Sequence, residues 1–90
     1  MSTGLRPYAG ARSGSGVVAW APLPRGIAVA FRGGAVYVYT TTSAGAHRIA
    51  RMRALARAGR GLSTYISRNV HAAYAERHAD RATWAAAGAG

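Results

Sequence analysis

The sequence predicts an α+β fold: a small antiparallel sheet of about three strands, with a central hairpin, packed against two C-terminal helices. Three observations lead there. Apolar residues alternate along residues 27–31 and again along 35–40; Gly33-Gly34 separates the two runs; and from residue 46 onward the apolar spacing changes to threes and fours. A run of strands followed by a run of helices is the order of a segregated α+β domain, not of an alternating α/β one.

Each element has its own reason. Residues 1–16, "MSTGLRPYAGARSGSG", are rich in Gly and Ser, with Leu5 and Tyr8 as the sizeable apolar residues, and read as a flexible basic arm. "VVAW", 17–20, is β-prone and is closed by "APLPRG", where two prolines favour a turn or edge conformation. In "GIAVAFR", Ile27, Val29 and Phe31 share one face while Ala28, Ala30 and Arg32 share the other, the period-2 mark of a half-buried strand. After Gly33-Gly34, "AVYVYT" resumes the pattern and completes a hairpin. Thr42 or Ser43 can cap a helix, because a side-chain oxygen accepts from a first-turn amide. That helix sets Ile49, Met52, Leu55 and Ala56 along one stripe and ends at Gly59, a residue suited to a left-handed cap. A second helix starts after Gly61, with Leu62, Tyr65, Ile66, Val70 and Ala73 as its apolar face, and can run to about Trp84. The expected division is an arm over 1–16, a domain over 17–80 and an Ala/Gly-rich tail over 81–90.

Composition narrows the function. The formal net charge is +10 and the sequence pI about 11.7, with twelve basic residues, all arginine, against two acids. That excess bears on partners more than on fold, and its natural partners are phosphate polyanions or acidic surfaces. The arginine-only usage, beside abundant Ala and Gly, is what a GC-rich genome produces; the net charge is not explained that way. Without cysteine there is neither a disulfide framework nor a thiolate metal site. No run approaches the roughly 18 apolar residues of a membrane span, and the glycines of the first 16 residues break the amphipathic helix of a transit peptide. No membrane partner and a cytoplasmic location are expected.

"IAVAFRGGAVYVYT", then a helix, then "AGRGLSTYI", resembles the KTSC domain, named for the C-terminus of certain lysyl-tRNA synthetases and found also as a small stand-alone protein in bacteria and their viruses. Phe31, Gly34, Tyr37, Tyr39, Gly59, Leu62 and Ile66 stand at the places of that family's pattern, and the resemblance covers about residues 17–74. The chain has Thr41, Thr42 and Ser43 where the family has a Val-Pro-like helix entrance, and Ser63 where it commonly has Asn. The resemblance implies RNA binding, the activity usually suggested for the family.

The candidate site residues are arginines and tyrosines. Arg48, Arg51, Arg53, Arg57 and Arg60 fall within thirteen residues, and no acid occurs before Glu76. A guanidinium can grip phosphate oxygens bidentately and also stack on a base, so these five and Arg68 are the expected phosphate contacts, with Arg6 and Arg12 of the arm adding affinity without sequence preference. A solvated helix face is the plainer reading of the same run. Tyr37 and Tyr39 either form a base-stacking platform or face the core. A two-residue turn at Gly33-Gly34 pairs Phe31 with Val36 and puts both tyrosines beside Ala28 and Ala30. A three-residue loop with Gly34 left-handed pairs Phe31 with Tyr37 and puts them beside Val29 and Phe31. The resemblance favours the inward choice, because the family often has a polar residue between the tyrosines. Inward tyrosines would leave Ala28, Ala30, Val36 and Val38 as an apolar outer face, a contact surface for protein.

Other chemistry is poorly supported. In "GRGLST", residues 59–64, a turn beside Arg60 could hold a phosphate, although Gly59 and Gly61 are also what a tight interhelical turn requires. His71 and His78 on one helix would lie roughly 10 Å apart along its axis, too far to share a metal. Glu76 and Asp80 read as surface ion pairs with Arg77 and Arg81. The expectation is a non-catalytic module without cofactor or metal that binds RNA or another nucleic acid. The alternative is a protein-interaction or structural role: a homo-oligomer, a phage- or virion-associated protein, or a binder of an acidic host protein.

Overall fold

Hairpin geometry organises this chain. The structure, a computed structural model, describes residues 4–88; the first three residues of the expected arm and the last two of the expected tail lie outside that range. Five antiparallel strands pair in chain order: β1 Arg6–Pro7, β2 Val17–Leu23, β3 Gly26–Phe31, β4 Val36–Thr40 and β5 Glu76–His78. The helices are α1 Thr41–Ala44, α2 Ala46–Ala58, α3 Leu62–Tyr65 with a π-helical turn at Ile66–Val70, and α4 Arg81–Gly88; a 3-10 turn spans Ala9–Ser13. The α+β class is as the sequence predicts, with five strands instead of about three and four helices instead of two among the described residues.

The differences have physical causes. β2 runs through Pro22 to Leu23 instead of ending at Trp20. β1 pairs with β2 at Ala19 and Trp20, which makes β2 a strand near the sheet margin, where proline is tolerated. One extra residue at Val18 bulges β2 and brings Val17 opposite Phe31 while Ala19 meets Ala30. Part of the expected arm is built into the fold. Tyr8 is 2 % exposed, its amide donates to the Val18 carbonyl, and its hydroxyl accepts from Leu62 N–H at 3.2 Å. The second helix stops near Val70 instead of running to Trp84. Glu76–His78 joins the open edge of β4, and the Ala75 amide donates to the Val38 carbonyl. Free ladder positions on β4 outweigh the local helix preference of this stretch, a tertiary override of propensity.

Both faces of the sheet are covered. On one, Trp20, Ile27, Val29 and Tyr39 pack against Ile49, Met52 and Ala56 of α2 and against Leu62, Ile66 and Val70. On the other, Ala19, Ala21, Ala28, Ala30, Val36 and Val38 are 5 % exposed or less, and the half-buried Trp84 of α4 packs against them with Leu5, Val18 and Leu23. The outer face expected to show Ala28, Ala30, Val36 and Val38 to solvent is therefore buried. An alanine-rich face lets neighbouring side chains approach closely enough to exclude water.

The join between sheet and helices comes two or three residues before its expected place. Thr40, not Thr42 or Ser43, is the N-cap: its hydroxyl accepts from Ser43 N–H at 3.0 Å, and Ser43 Oγ accepts from Thr40 N–H at 3.0 Å. This reciprocal box closes the one-turn α1, and Gly45 at φ 95° breaks the backbone before α2. Thr40→Ala is expected to cost about 1 kcal/mol in a urea unfolding series, the usual loss of an N-cap. An unchanged midpoint would mean that the box contributes nothing in solution.

Candidate nucleic-acid interface

α2 carries the main charge. Ile49, Met52 and Ala56 face the sheet, and Gly59 ends the helix at φ 75° with its amide on the Leu55 and Ala56 carbonyls, as its sequence predicts. The opposite side shows His47, Arg48, Ala50, Arg51, Ala54 and Arg57 to solvent, with Arg60 exposed in the following turn and Arg68 on the π-helical turn. The guanidinium groups of Arg48, Arg51, Arg57, Arg60 and Arg68 have no partner among the described residues. Arg48 and Arg51 are three residues apart and Arg53 and Arg57 four, so like charges are neighbours on the helix surface, each such pair destabilising by roughly 0.2–0.5 kcal/mol in isolation.

Arg53 is placed differently. Its guanidinium donates to the Gly26 carbonyl at 3.0 Å and to the Leu23 carbonyl, so it clamps the two ends of the β2–β3 turn. Of the six arginines expected to contact phosphate, five project freely and this one is committed to the fold. Three others outside α2 also have neighbours. Arg32 donates to the Ala11 and Ser15 carbonyls at 3.0 and 2.9 Å, Arg6 lies 5.4 Å from the Trp20 ring, and Arg77 donates to Tyr37 Oη at 3.1 Å.

The tyrosines face inward through a route close to one of the two expected. Between Phe31 and Ala35, whose carbonyl accepts from the Phe31 amide, the β3–β4 connection loops through the three residues Arg32-Gly33-Gly34, with Gly34 at φ 106° and its amide on the Phe31 carbonyl. Tyr37 pairs with Val29 and Tyr39 with Ile27, not Tyr37 with Phe31, but the parity is the one that puts both rings on the face of Ile27 and Val29. Tyr39 is 1 % exposed, and burial, followed by its proximity to Tyr37 and Tyr74, raises its phenol pKa. It is closed to a base. Tyr37 is half-buried among Phe31 at 5.2 Å, Tyr74 at 4.9 Å and Tyr39 at 6.5 Å between ring centroids, with Arg77 over its ring at 5.8 Å. Tyr74, 40 % exposed, and Arg77 are thus the solvent side of an aromatic cluster. Their part in it is not visible in the sequence, because β5 brings them there from the far end of the chain.

The two acids are occupied. Glu76 Oε1 lies 2.9 Å from His78 Nε2. Asp80 Oδ1 accepts from Thr83 N–H at 2.8 Å at the start of α4, and the Thr83 amide and hydroxyl lower the pKa of that carboxyl. Neither pairs with Arg77 or Arg81 as expected, since Glu76 lies on a strand and Asp80 caps a helix. His71 follows the π-helical turn while His78 lies on β5, and no group of three His, Cys, Asp or Glu side chains converges among the described residues. No helix there is long and apolar enough to cross a membrane.

Fold and surface together define a small α+β protein in which no arginine is paired with a carboxylate among the described residues. No protein-family model, no curated protein and no solved structure matches the chain.

Proposed function

We propose that this protein is a non-catalytic module that binds RNA, or more broadly nucleic acid, through arginine–phosphate contacts centred on the solvent face of α2. The observation that carries the proposal is the state of the charge: a net +10 with Arg48, Arg51, Arg57, Arg60 and Arg68 exposed and unpartnered among the described residues. Such a surface repels itself, and a polyanion relieves the repulsion while releasing its own counterions. Arg6, Arg12 and Arg25, also exposed, add to the field. Tyr37 supports the site by holding Arg77 in place, not as an open stacking platform, and Tyr39 lies in the core. Kinship with the KTSC domain, and a setting in a bacterial or phage-infected cytoplasm, belong to the same proposal and rest on the residues that carry the resemblance.

Gel-shift titration of a single-stranded RNA and a structured RNA across a salt series, beside light scattering for mass, tests the reading. Affinity should fall steeply between 50 and 200 mM salt, by roughly a thousandfold if about six phosphates are contacted. Absence of binding at low salt, or binding indifferent to salt, sinks the proposal. A complex or oligomer that survives high salt would point to a protein partner held by apolar burial.

A further inference from the structure

A cleft of about 360 Å³ opens where the N-terminal 3-10 turn meets the α2–α3 connection. Its existence follows from glycine. A Cβ on Gly10 would come within 2.7 Å of the Gly59 carbonyl oxygen, and one on Gly59 within 2.6 Å of Ala9 Cβ, so these backbones touch only because side chains are missing. Gly14, Gly16 and Gly61 leave the space above that contact unfilled. Tyr8 forms part of the wall, with its hydroxyl already accepting from Leu62 N–H.

The groups that line this space are donors of one kind of chemistry. Ser15, Ser63 and Thr64 bring hydroxyls and Arg60 a guanidinium, and no carboxylate among the described residues lines the cleft. Ser15 Oγ accepts from Val17 N–H, which leaves its proton to donate outward. Ser63, Thr64 and Arg60 have no side-chain partner among the described residues. Guanidinium and hydroxyl donors around a pocket without acid suit a tetrahedral oxyanion. From this juxtaposition we infer that the cleft is a phosphate-binding site, in which Arg60 pairs with the anion and Ser15, Ser63 and Thr64 donate to its oxygens. The inference deepens the nucleic-acid reading and rests on it for the source of the phosphate, a chain terminus or an internal diester. The phosphate-binding chemistry itself stands on the cleft.

The test is amide-resolved NMR of the full chain titrated with inorganic phosphate, with a 5′-phosphorylated oligonucleotide and with its 5′-hydroxyl twin. Inorganic phosphate should shift the amides of Ser15, Gly16, Arg60, Gly61, Ser63 and Thr64 in a saturable way. Arg60→Ala should weaken that response about tenfold, the loss of one charge-assisted pair. Gly16→Val should abolish it by filling the mouth, because a Cβ there has only Ser63 Oγ at 3.6 Å and so fits without a clash. Local shifts with the phosphorylated strand alone assign the site to chain termini; shifts with both strands assign it to internal phosphates. Shifts confined to α2, or a cleft response unchanged in Arg60→Ala, overturn the inference. A cleft that answers inorganic phosphate while neither strand binds would overturn nucleic-acid binding and leave the phosphate site standing.

Discussion

Replacing Arg48, Arg51 and Arg57 together by alanine is expected to weaken RNA binding roughly a hundredfold at 50 mM salt, and to lower the slope of log affinity against log salt by about 2 for a single strand. The slope is the decisive quantity, because each lost phosphate contact removes about 0.7 of a released counterion. All three side chains are exposed and unpartnered among the described residues, so the variant loses no contact that holds the fold. Alanine is also the best helix former, and removing like charges relieves repulsion; thermal stability should hold or rise slightly. Arg53→Ala supplies the contrast. Its guanidinium holds the Leu23 and Gly26 carbonyls, so the expected result is a stability loss of about 1–2 kcal/mol with the salt slope of the folded protein unchanged. If Arg53→Ala instead lowers the slope as much as the outward arginines do, binding reads bulk charge and the α2 face has no special place in it. If the triple variant keeps its slope, the contacts lie elsewhere on the protein.

That contrast marks what could be read from the sequence. α2 was legible because one stripe, Ile49, Met52, Leu55 and Ala56, dictates which side faces the sheet, and Arg48, Arg51 and Arg57 outside that stripe are exposed as it implies. The hairpin was legible through alternation, and the parity of its glycine loop decides which way Tyr37 and Tyr39 point, although their partners proved to be Val29 and Ile27. The fate of Arg53 was not legible: its acceptors precede it by 27 and 30 residues, and nothing local marks those carbonyls as unsatisfied. Tyr8 escaped for the same reason, since the Leu62 amide it accepts from is 54 residues away and its own neighbourhood reads as a Gly/Ser linker. β5 and α4 were hidden by composition. Residues 71–84 favour helix locally, and only the open edge of β4 and the alanine face of the sheet explain a strand at Glu76–His78 and a tryptophan folded back at Trp84. The basic face of α2 was thus visible in outline, while the division of its arginines between holding the fold and facing solvent required the long-range contacts.

Gly26→Ala is expected to cost roughly 3 kcal/mol although it adds only one methyl group, the upper end of ordinary overpacking. A Cβ at Gly26 would lie 2.1 Å from the Tyr39 carbonyl oxygen and 3.1 Å from Thr40 Cα. Both neighbours are backbone, so no side chain can swing away. Relief requires parting β3 from β4 at the register pair Gly26–Thr40, where the N-cap of α1 begins and where the Gly26 carbonyl receives Arg53. Against a total stability of about 5–10 kcal/mol for a chain of this size, the loss should lower the melting temperature by about 15 °C. Gly33→Ala is the matched control. A Cβ there meets nothing within 4 Å and the residue is not left-handed, so its effect should stay within about 0.5 kcal/mol and favour the folded state if anything. Equal melting temperatures for the two variants would mean that the hairpin pairs in another register, and the inward placement of Tyr37 and Tyr39 would fall with it. A selective loss at Gly26 ties the α2 surface to the sheet beneath it: RNA binding should then fade with the folded fraction while the salt slope of the remainder stays as in the unaltered protein, the opposite signature to that of the outward arginines.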